Sequence, residues 1–322
     1  MRLGALDSLQ RGFENLRANW QVIFVLWLAT VLNLLLGIAA LLPFYFVLDL
    51  DAPLFDAAPG AIEAWILETI EHLLAQLSEP AFWLALLSSS LVCLALLVLT
   101  SFFQAGVYGI LVAGDRQAPA GRSAVPVEAF RVYSWREFQA RGGRHLWSYF
   151  WLYNLMFVGW LAWVGLVVLV IAATGLVAEQ AGGGAGLAIG CAAVMPLGFL
   201  LFLSIFWIVL AQVEISAHDA GPWTALRRSI GVVVRRLPAV VLLFLLFAAA
   251  SVVLTVVFLM VSLPLNAGLS FLPAVRRIVG LGLQAVQWLV SAAVQVAMAA
   301  AMVALYRAEI AYRSEGVPED EG

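Results

Sequence analysis

Residues 238–262 read PAVVLLFLLFAAASVVLTVVFLMVS, an apolar stretch without a single charged side chain. A helix rises about 1.5 Å per residue, so about 20 apolar residues cross the ~30 Å hydrocarbon core of a bilayer. Five other stretches have the same character, and the expected spans are residues 20–48, 80–113, 147–177, 186–213, 238–262 and 280–306. They are continuously apolar rather than alternating, which excludes a membrane β-barrel. The sequence therefore predicts an all-α, polytopic integral membrane protein.

The composition of the whole chain agrees with this fold class. Of its 322 residues, 64% are hydrophobic and only 11% are charged, whereas roughly a quarter of a soluble domain is charged. We expect one membrane domain over residues 1–314 and a short, acidic, disordered tail over residues 315–322. The first apolar run is about twice as long as that of a signal peptide, so we expect it to be a span.

Arginine supplies all 17 basic residues, and its distribution predicts the orientation of the spans. Fifteen arginines fall before span one, between spans two and three, between spans four and five, or after span six. Only Arg276 and Arg277 fall on the other side, where residues 49–79 are acidic instead. The positive-inside rule then places both termini in the cytoplasm.

Amphipathic patterns precede the odd-numbered spans. Residues 3–20, 126–141 and 222–230 each carry apolar residues at helical spacing with charged residues between them. Such a stripe beside a span predicts a helix that lies in the membrane interface, here called an elbow helix. We expect the second elbow to end at Gly142 and Gly143. Each elbow precedes a hairpin of two spans, which indicates either a threefold repeat or the ordinary composition of basic loops near a membrane.

A further amphipathic helix is expected on the acidic side, over residues 62–77. Its acidic face is interpreted as a solvated surface, with ligand binding as the alternative. Arg276 and Arg277 are expected to pair with the acidic residues over 63–71, because these are the nearest opposite charges on that side.

No catalytic or metal-binding motif is found in the sequence. The three histidines, His72, His145 and His218, lack metal-ligand spacing, and there is no phosphate-binding loop, dinucleotide fingerprint or nucleophile elbow. Cys93 and Cys191 lie within apolar runs and are interpreted as small hydrophobic residues. The arginines do not cluster on a soluble face, which excludes a nucleic-acid partner. We expect a non-enzymatic protein without cofactors or metal ions.

Polar residues beside the spans give two sets of candidate sites. Elbow arginines attract anionic headgroups by about 1 kcal/mol each. The candidate headgroup contacts are Arg11, Arg17, Arg227, Arg228, Arg235 and Arg236. Span six carries a polar stripe that contains Gln284, Gln287 and Gln295, which predicts either hydrogen bonds between helices or the lining of a cavity. Glu214, at the end of span four, is expected to pair with Arg227 or Arg228.

Two motifs carry a resemblance to a known family. One is Ser101-Phe-Phe-Gln-Ala-Gly-Val-Tyr-Gly-Ile110 at the end of span two, and the other is Gly221-Pro-Trp-Thr-Ala-Leu-Arg-Arg-Ser-Ile230 before span five. With the six-span layout they resemble the YciC-like family of bacterial inner-membrane proteins. The layout is similar also to the membrane domain of some glycerophosphodiester phosphodiesterases, but these residues include no soluble phosphodiesterase domain, so that activity is not implied.

The resemblance implies a location in the bacterial inner membrane and provides no catalytic residues. The leading hypothesis is therefore a non-enzymatic protein that supports envelope or membrane organisation. Membrane lipids are its expected partners, with other inner-membrane proteins as a second class. The alternative is a transporter or channel for a small, uncharged substrate, which the glutamines of span six would serve.

Overall fold

The computed structural model describes residues 4–48, 75–119, 125–181, 183–268 and 272–316, and these ranges contain no β-strand. The α-helices of the described chain are α1 Ala5–Ala18, α2 Gln21–Leu48, α3 Pro80–Gln117, α4 Trp135–Ala181, α5 Gly183–His218, α6 Pro222–Arg235, α7 Leu237–Gly268 and α8 Pro273–Gly316. A 3₁₀-helix, Val127–Phe130, lies between α3 and α4. The predicted acidic helix over 62–77, with its expected ion pairs to Arg276 and Arg277, falls almost wholly outside the described residues.

Six of these helices are long and apolar enough to cross a membrane, namely α2, α3, α4, α5, α7 and α8. The prediction of an all-helical chain with six candidate spans is therefore confirmed. Several helices extend beyond the predicted spans, because their polar end turns find partners within the protein that hydropathy does not reveal. α8 extends to Gly316 and so includes two residues of the tail predicted to be disordered over 315–322. The rest of that tail lies outside the described residues.

The amphipathic segments differ from one another in structure. The first and third form separate 14-residue helices, α1 and α6. Pro222 begins α6 at a position where its missing N–H needs no partner. The second does not form a separate helix, because α4 continues without interruption through Gly142 and Gly143, and the predicted end there is wrong. A Cβ atom on Gly142 would lie 2.9 Å from the Phe102 ring, so this glycine permits close packing against α3.

The chain forms two compact units. The larger comprises Met1–Trp27 and Ser101–Gly322, and the smaller comprises Leu28–Thr100. In the smaller unit, the Ser89 hydroxyl donates a hydrogen bond to the Ala40 carbonyl at 2.6 Å, which ties α2 to α3. In the larger unit, α1 packs on α8, α4 on α5, α5 on α6, and α7 on α8. The single membrane domain over residues 1–314 stays a prediction.

Small residues bring α1 unusually close to α8. A Cβ atom on Gly12 would lie 2.5 Å from the backbone nitrogen of Ala301, so no side chain fits at this position. The facing surface of α8 consists of buried alanines, including Ala297, Ala300 and Ala304. Small residues on both sides allow the two backbones to approach closely. The helix α1 is thus part of the packed interior on one side.

The first resemblance motif is explained by packing. A Cβ atom on Gly106 would overlap the Phe138 ring of α4, and one on Gly109 would lie 2.7 Å from Arg141 Cβ. Phe138 also lies edge-on to Phe102, with ring centroids 6.0 Å apart. The glycines of the motif therefore serve the close contact between α3 and α4.

Candidate functional site

Three buried carboxylates stand near the C-terminal ends of α3, α5 and α8. Asp115, Glu214 and Glu309 are respectively 1%, 1% and 5% exposed. An unpaired charge in such surroundings would cost several kcal/mol, so each carboxylate needs a cation with good hydrogen-bond geometry. Arginines of α1, of α6 or directly after α6 supply that cation, and Arg307 of α8 adds a second one at Asp115. We call Asp115, Glu214 and Glu309 the anchor carboxylates.

The Asp115 anchor joins three helices. Its Oδ1 accepts a hydrogen bond from Arg11 Nε of α1 at 2.6 Å, and its Oδ2 accepts one from Arg307 Nη1 of α8 at 3.1 Å. Arg11 also donates to the carbonyl oxygen of Pro119 at 2.9 Å, and its guanidinium carbon lies 5.3 Å from the centre of the Phe130 ring. The Arg11 side chain is only 2% exposed. The prediction that Arg11 contacts lipid headgroups is therefore wrong, because Asp115 neutralises its charge in the interior of the protein.

Two asparagines complete the attachment of α1. Asn15 Nδ2 donates to the carbonyl of Leu111 in α3 at 2.8 Å. Asn19 Nδ2 donates to the carbonyl of Phe130 at 2.8 Å, and its Oδ1 accepts from the backbone amide of Tyr133 at 2.9 Å. Both side chains are buried, so these bonds are not shared with water. They fix α1 against α3 and against the segment that precedes α4.

The Glu214 anchor holds α6 to α5. Glu214 Oε1 accepts from Arg228 Nη1 at 3.3 Å, and Oε2 lies 3.2 Å from His218 Nδ1. The Trp207 indole of α5 donates to the carbonyl of Leu226 in α6 at 2.7 Å, which reinforces the attachment. Pairing of Glu214 with Arg227 or Arg228 was expected, and the partner is Arg228.

The Glu309 anchor joins α8 to the end of α6. Its Oε2 accepts from Arg236 Nε at 2.6 Å, and its Oε1 lies 3.8 Å from Arg235 Nε. The Arg236 side chain is 13% exposed, whereas that of Arg235 is 51% exposed. Arg236 is thus largely committed to Glu309, which corrects its prediction as a headgroup contact. Arg235 keeps an accessible charge.

The helices α1 and α6 correspond position by position. The positions buried in both helices include Ser8 and Ala225, Gly12 and Ser229, and Leu16 and Val233. Arg11 and Arg228 occupy the same position, and each binds an anchor carboxylate. Because the second amphipathic segment forms no separate helix, this correspondence relates only the first and third of the three predicted units.

The opposite faces of α1 and α6 are exposed and apolar. The exposed large side chains are Leu6, Phe13 and Trp20 on or just after α1, and Trp223, Ile230 and Val234 on α6. Arg17 and Arg227 follow an exposed aromatic residue by four positions and so share its face. Arg17 lies 3.1 Å from Glu14 and is 67% exposed, while Arg227 has no ion pair among the described residues.

The predicted glutamines line cavities between α7 and α8. A cavity of about 380 Å³ is bordered by Gln284 and Gln287, together with Thr255 and Arg276. A second cavity of about 200 Å³ is bordered by Gln287 and Gln295. The structure thus brings the three glutamines onto one seam between α7 and α8. A smaller cavity of about 180 Å³ lies beside Asp115, but its charged groups belong to the anchors.

The sequence missed Asp115 and Glu309. A usable signal was present, since each anchor carboxylate is the first acidic residue after an even-numbered span and lies within three residues of its predicted end. No group of three or more His, Cys, Asp or Glu side chains that could hold a metal ion occurs in the described part of the chain.

These features define a class: an all-helical protein with six candidate membrane-spanning helices and two short amphipathic helices fixed by buried ion pairs. Residues 3–309 match the family described as a domain of unknown function, DUF7847, and the chain belongs to this family. Neither a curated protein nor a solved structure matches the chain.

Replacing Asp115 with asparagine should destabilise the protein strongly. The substitution preserves shape but leaves Arg11 buried without its counter-charge, and breaking a buried pair from one side costs about 3–5 kcal/mol. The free energy of unfolding, measured in detergent micelles by titration with a denaturing detergent, tests this expectation. Glu14→Gln is the control, since the exposed Glu14–Arg17 pair should contribute less than about 1 kcal/mol. Equal small losses in both variants would contradict the anchoring role of Asp115.

Proposed function

We propose that this protein is a non-enzymatic component of the bacterial inner membrane. Its six long helices cross the bilayer with both termini in the cytoplasm, and α1 and α6 are elbow helices in the inner interface. There it supports membrane organisation by holding anionic lipids, with other inner-membrane proteins as a second class of partner. The similarity to the YciC-like family belongs to the same proposal and supports this location.

The placement of arginine supports the proposed orientation. The arginines of α1 and α6 lie beside the C-terminal ends of α3 and α8, where Arg116 and Arg307 are also found. Arg11 and Arg307, for example, bind the same anchor carboxylate, Asp115. Arg276 and Arg277 stand at the other end of α8. Under the positive-inside rule, the arginine-rich end faces the cytoplasm.

Thiol labelling tests this orientation directly. Starting from a variant in which Cys93 and Cys191 are replaced by alanine, one cysteine is introduced either at Gly221 or at Leu272, which are both exposed. A membrane-impermeant maleimide applied to spheroplasts should label the cysteine at position 272, and the one at 221 only after permeabilisation. The reverse pattern would refute the orientation.

The observation that carries the lipid proposal is the exposed face shared by aromatic residues and arginine on both elbows. Phe13 with Arg17, and Trp223 with Arg227, place an aromatic ring and a cation one helical turn apart. In an interfacial helix the apolar side chains enter the acyl region, while the long arginine side chain reaches up to the phosphates. Both elbows therefore present the same chemistry to an anionic headgroup.

The anchors determine which arginines can serve this role. Arg11 neutralises Asp115 from the buried side of α1, and Arg236 neutralises Glu309 directly after the end of α6. Arg17 and Arg227 lie on the outer faces of the two helices. Arg228 and Arg235 remain more than half exposed, although each also lies near an anchor carboxylate. The headgroup contacts we retain are Arg17, Arg227, Arg228 and Arg235.

Replacing both Arg17 and Arg227 with glutamine should reduce the retention of anionic lipid. Each arginine near a headgroup contributes about 1 kcal/mol, which corresponds to about a fivefold change in binding. Native mass spectrometry of the purified protein, titrated with phosphatidylglycerol and phosphatidylcholine, measures the effect. The double lysine variant is the control, because it keeps both charges and should retain most of the binding. Unchanged phosphatidylglycerol retention in the glutamine variant would rule out the lipid role of these residues.

A transporter or channel is the second candidate, and the cavities along Gln284, Gln287 and Gln295 favour it. Amide side chains can replace the water of an uncharged polar solute by hydrogen bonds. In proteoliposomes, flux of such a solute that disappears in the Gln284→Leu, Gln287→Leu variant would support this function. If no member of a panel of small uncharged polyols and amides crosses faster than through protein-free liposomes, the transport alternative fails.

A further inference from the structure

The seam between α7 and α8 carries an inference that goes beyond the proposed elbow-helix role, because it concerns other residues at the opposite end of the protein. The two cavities along this seam share Thr255, Phe258 and Gln287 as lining residues, so they are adjacent, and we call them together the groove. Arg276 borders the groove at the start of α8. The groove is open along its side, and Gln284 and Gln295 are exposed within it.

The groove is long enough to cross most of a bilayer. Arg276 and Gln295 are 19 positions apart on one continuous helix, which corresponds to about 28 Å at 1.5 Å per residue. The hydrocarbon core is about 30 Å thick. Polar side chains thus mark the groove from one end of the span to deep within it.

The glutamines of the groove differ from the hydroxyl residues that α7 contributes in their need for a partner. Ser251 donates to the carbonyl of Phe247 at 2.8 Å, and Thr255 donates to that of Ser251 at 2.9 Å, so both are satisfied within α7. Within the described chain, the amides of Gln284, Gln287 and Gln295 make no hydrogen bond. A polar group exposed to hydrocarbon without a partner is costly. An occupant with polar atoms would relieve that cost.

We propose that this groove binds the headgroup of an anionic membrane lipid. The phosphate lies at Arg276, the neighbouring polar atoms meet Gln284 and Gln287, and the acyl chains run along the apolar wall that includes Phe258 and Leu283. A volume of about 380 Å³ holds about a dozen groups of the size of water, enough for a headgroup and its glycerol. Beyond this wall the two chains extend into the surrounding bilayer.

The shape and charge of the groove favour a lipid over a dissolved solute. Because the groove is open at its side, a ligand reaches it from the hydrocarbon and need not pass through an enclosed channel. Arg276 is the one charged residue among the described residues that line it, so the complementary headgroup is anionic. Arg277 is also exposed but does not line the groove, which makes it a matched control for a charge at the neighbouring position.

Site-specific photocrosslinking tests the proposal in the full-length protein. Benzoylphenylalanine is placed either at Leu283, which lines the groove, or at Leu281, which is 73% exposed and faces away from it. The protein is reconstituted in nanodiscs of phosphatidylcholine and phosphatidylglycerol, and captured lipids are identified by mass spectrometry. The ratio of phosphatidylglycerol to phosphatidylcholine at position 283 should exceed that at position 281 by roughly fivefold, the contribution of one nearby arginine.

Two substitutions decide whether the groove causes the enrichment. Arg276→Gln should bring the ratio at position 283 down to that at position 281, while Arg277→Gln should leave the enrichment intact. Equal ratios at the two positions in the wild-type protein, or equal losses in the two arginine variants, would overturn the proposal. Capture at position 281 confirms that each variant is embedded in lipid. The Arg17→Gln, Arg227→Gln variant should keep the enrichment, so failure of the elbow-helix proposal and failure of this one are distinguishable.

Discussion

The rest of the larger unit depends on the compensation of one buried charge, the carboxylate of Asp115. In apolar surroundings this group is tolerated only if both oxygens have charged donors, and Arg11 and Arg307 supply them from different helices. Meeting that condition fixes the distance between α1, α3 and α8. The absence of a side chain at Gly12 follows from the same geometry, because α1 must lie against the backbone of α8 for Arg11 to reach Asp115. The amphipathic helix α1 is thereby held as a fixed part of the fold.

An ion pair between an arginine and a buried carboxylate also attaches α6, but there the arginine is more exposed to solvent. Arg228 binds Glu214 from a side chain that is 63% exposed, whereas Arg11 is almost completely enclosed. Solvent screening weakens an exposed pair, so α6 depends more on its apolar contacts and on the Trp207 hydrogen bond. The helices α1 and α6 are alike in length and outer surface, but the arginine that attaches α1 is buried, whereas Arg228 of α6 is largely exposed.

The sequence predicts the helices well because a span is a local property. About 20 consecutive apolar residues, as in residues 238–262, suffice to identify one. The anchors are not local: Asp115 and Arg11 lie 104 positions apart, and nothing in either neighbourhood identifies the partner. The predicted helix end at Gly142 was wrong because its true role also depends on a distant residue. Glycine is favoured both at the end of a helix and in close packing, and here it packs against Phe102. The glutamine stripe of α8 can be recognised in the sequence, but the surface of α7 that it faces can be identified only from the three-dimensional structure.

The exclusive use of arginine among the basic residues fits the demands of these anchors. Arg11 donates to the side chain and the backbone carbonyl of Asp115 and to the carbonyl of Pro119, three acceptors spread around a planar fork. A lysine ammonium is a compact point charge that cannot span such acceptors, and burial readily lowers its pKa. Arginine stays charged above any physiological pH, so a buried carboxylate beside it remains compensated. The same properties suit the exposed arginines, because the planar fork also matches the oxygens of a phosphate. One residue type thus meets the demands of the buried anchors and, in the function we propose, those of an anionic headgroup.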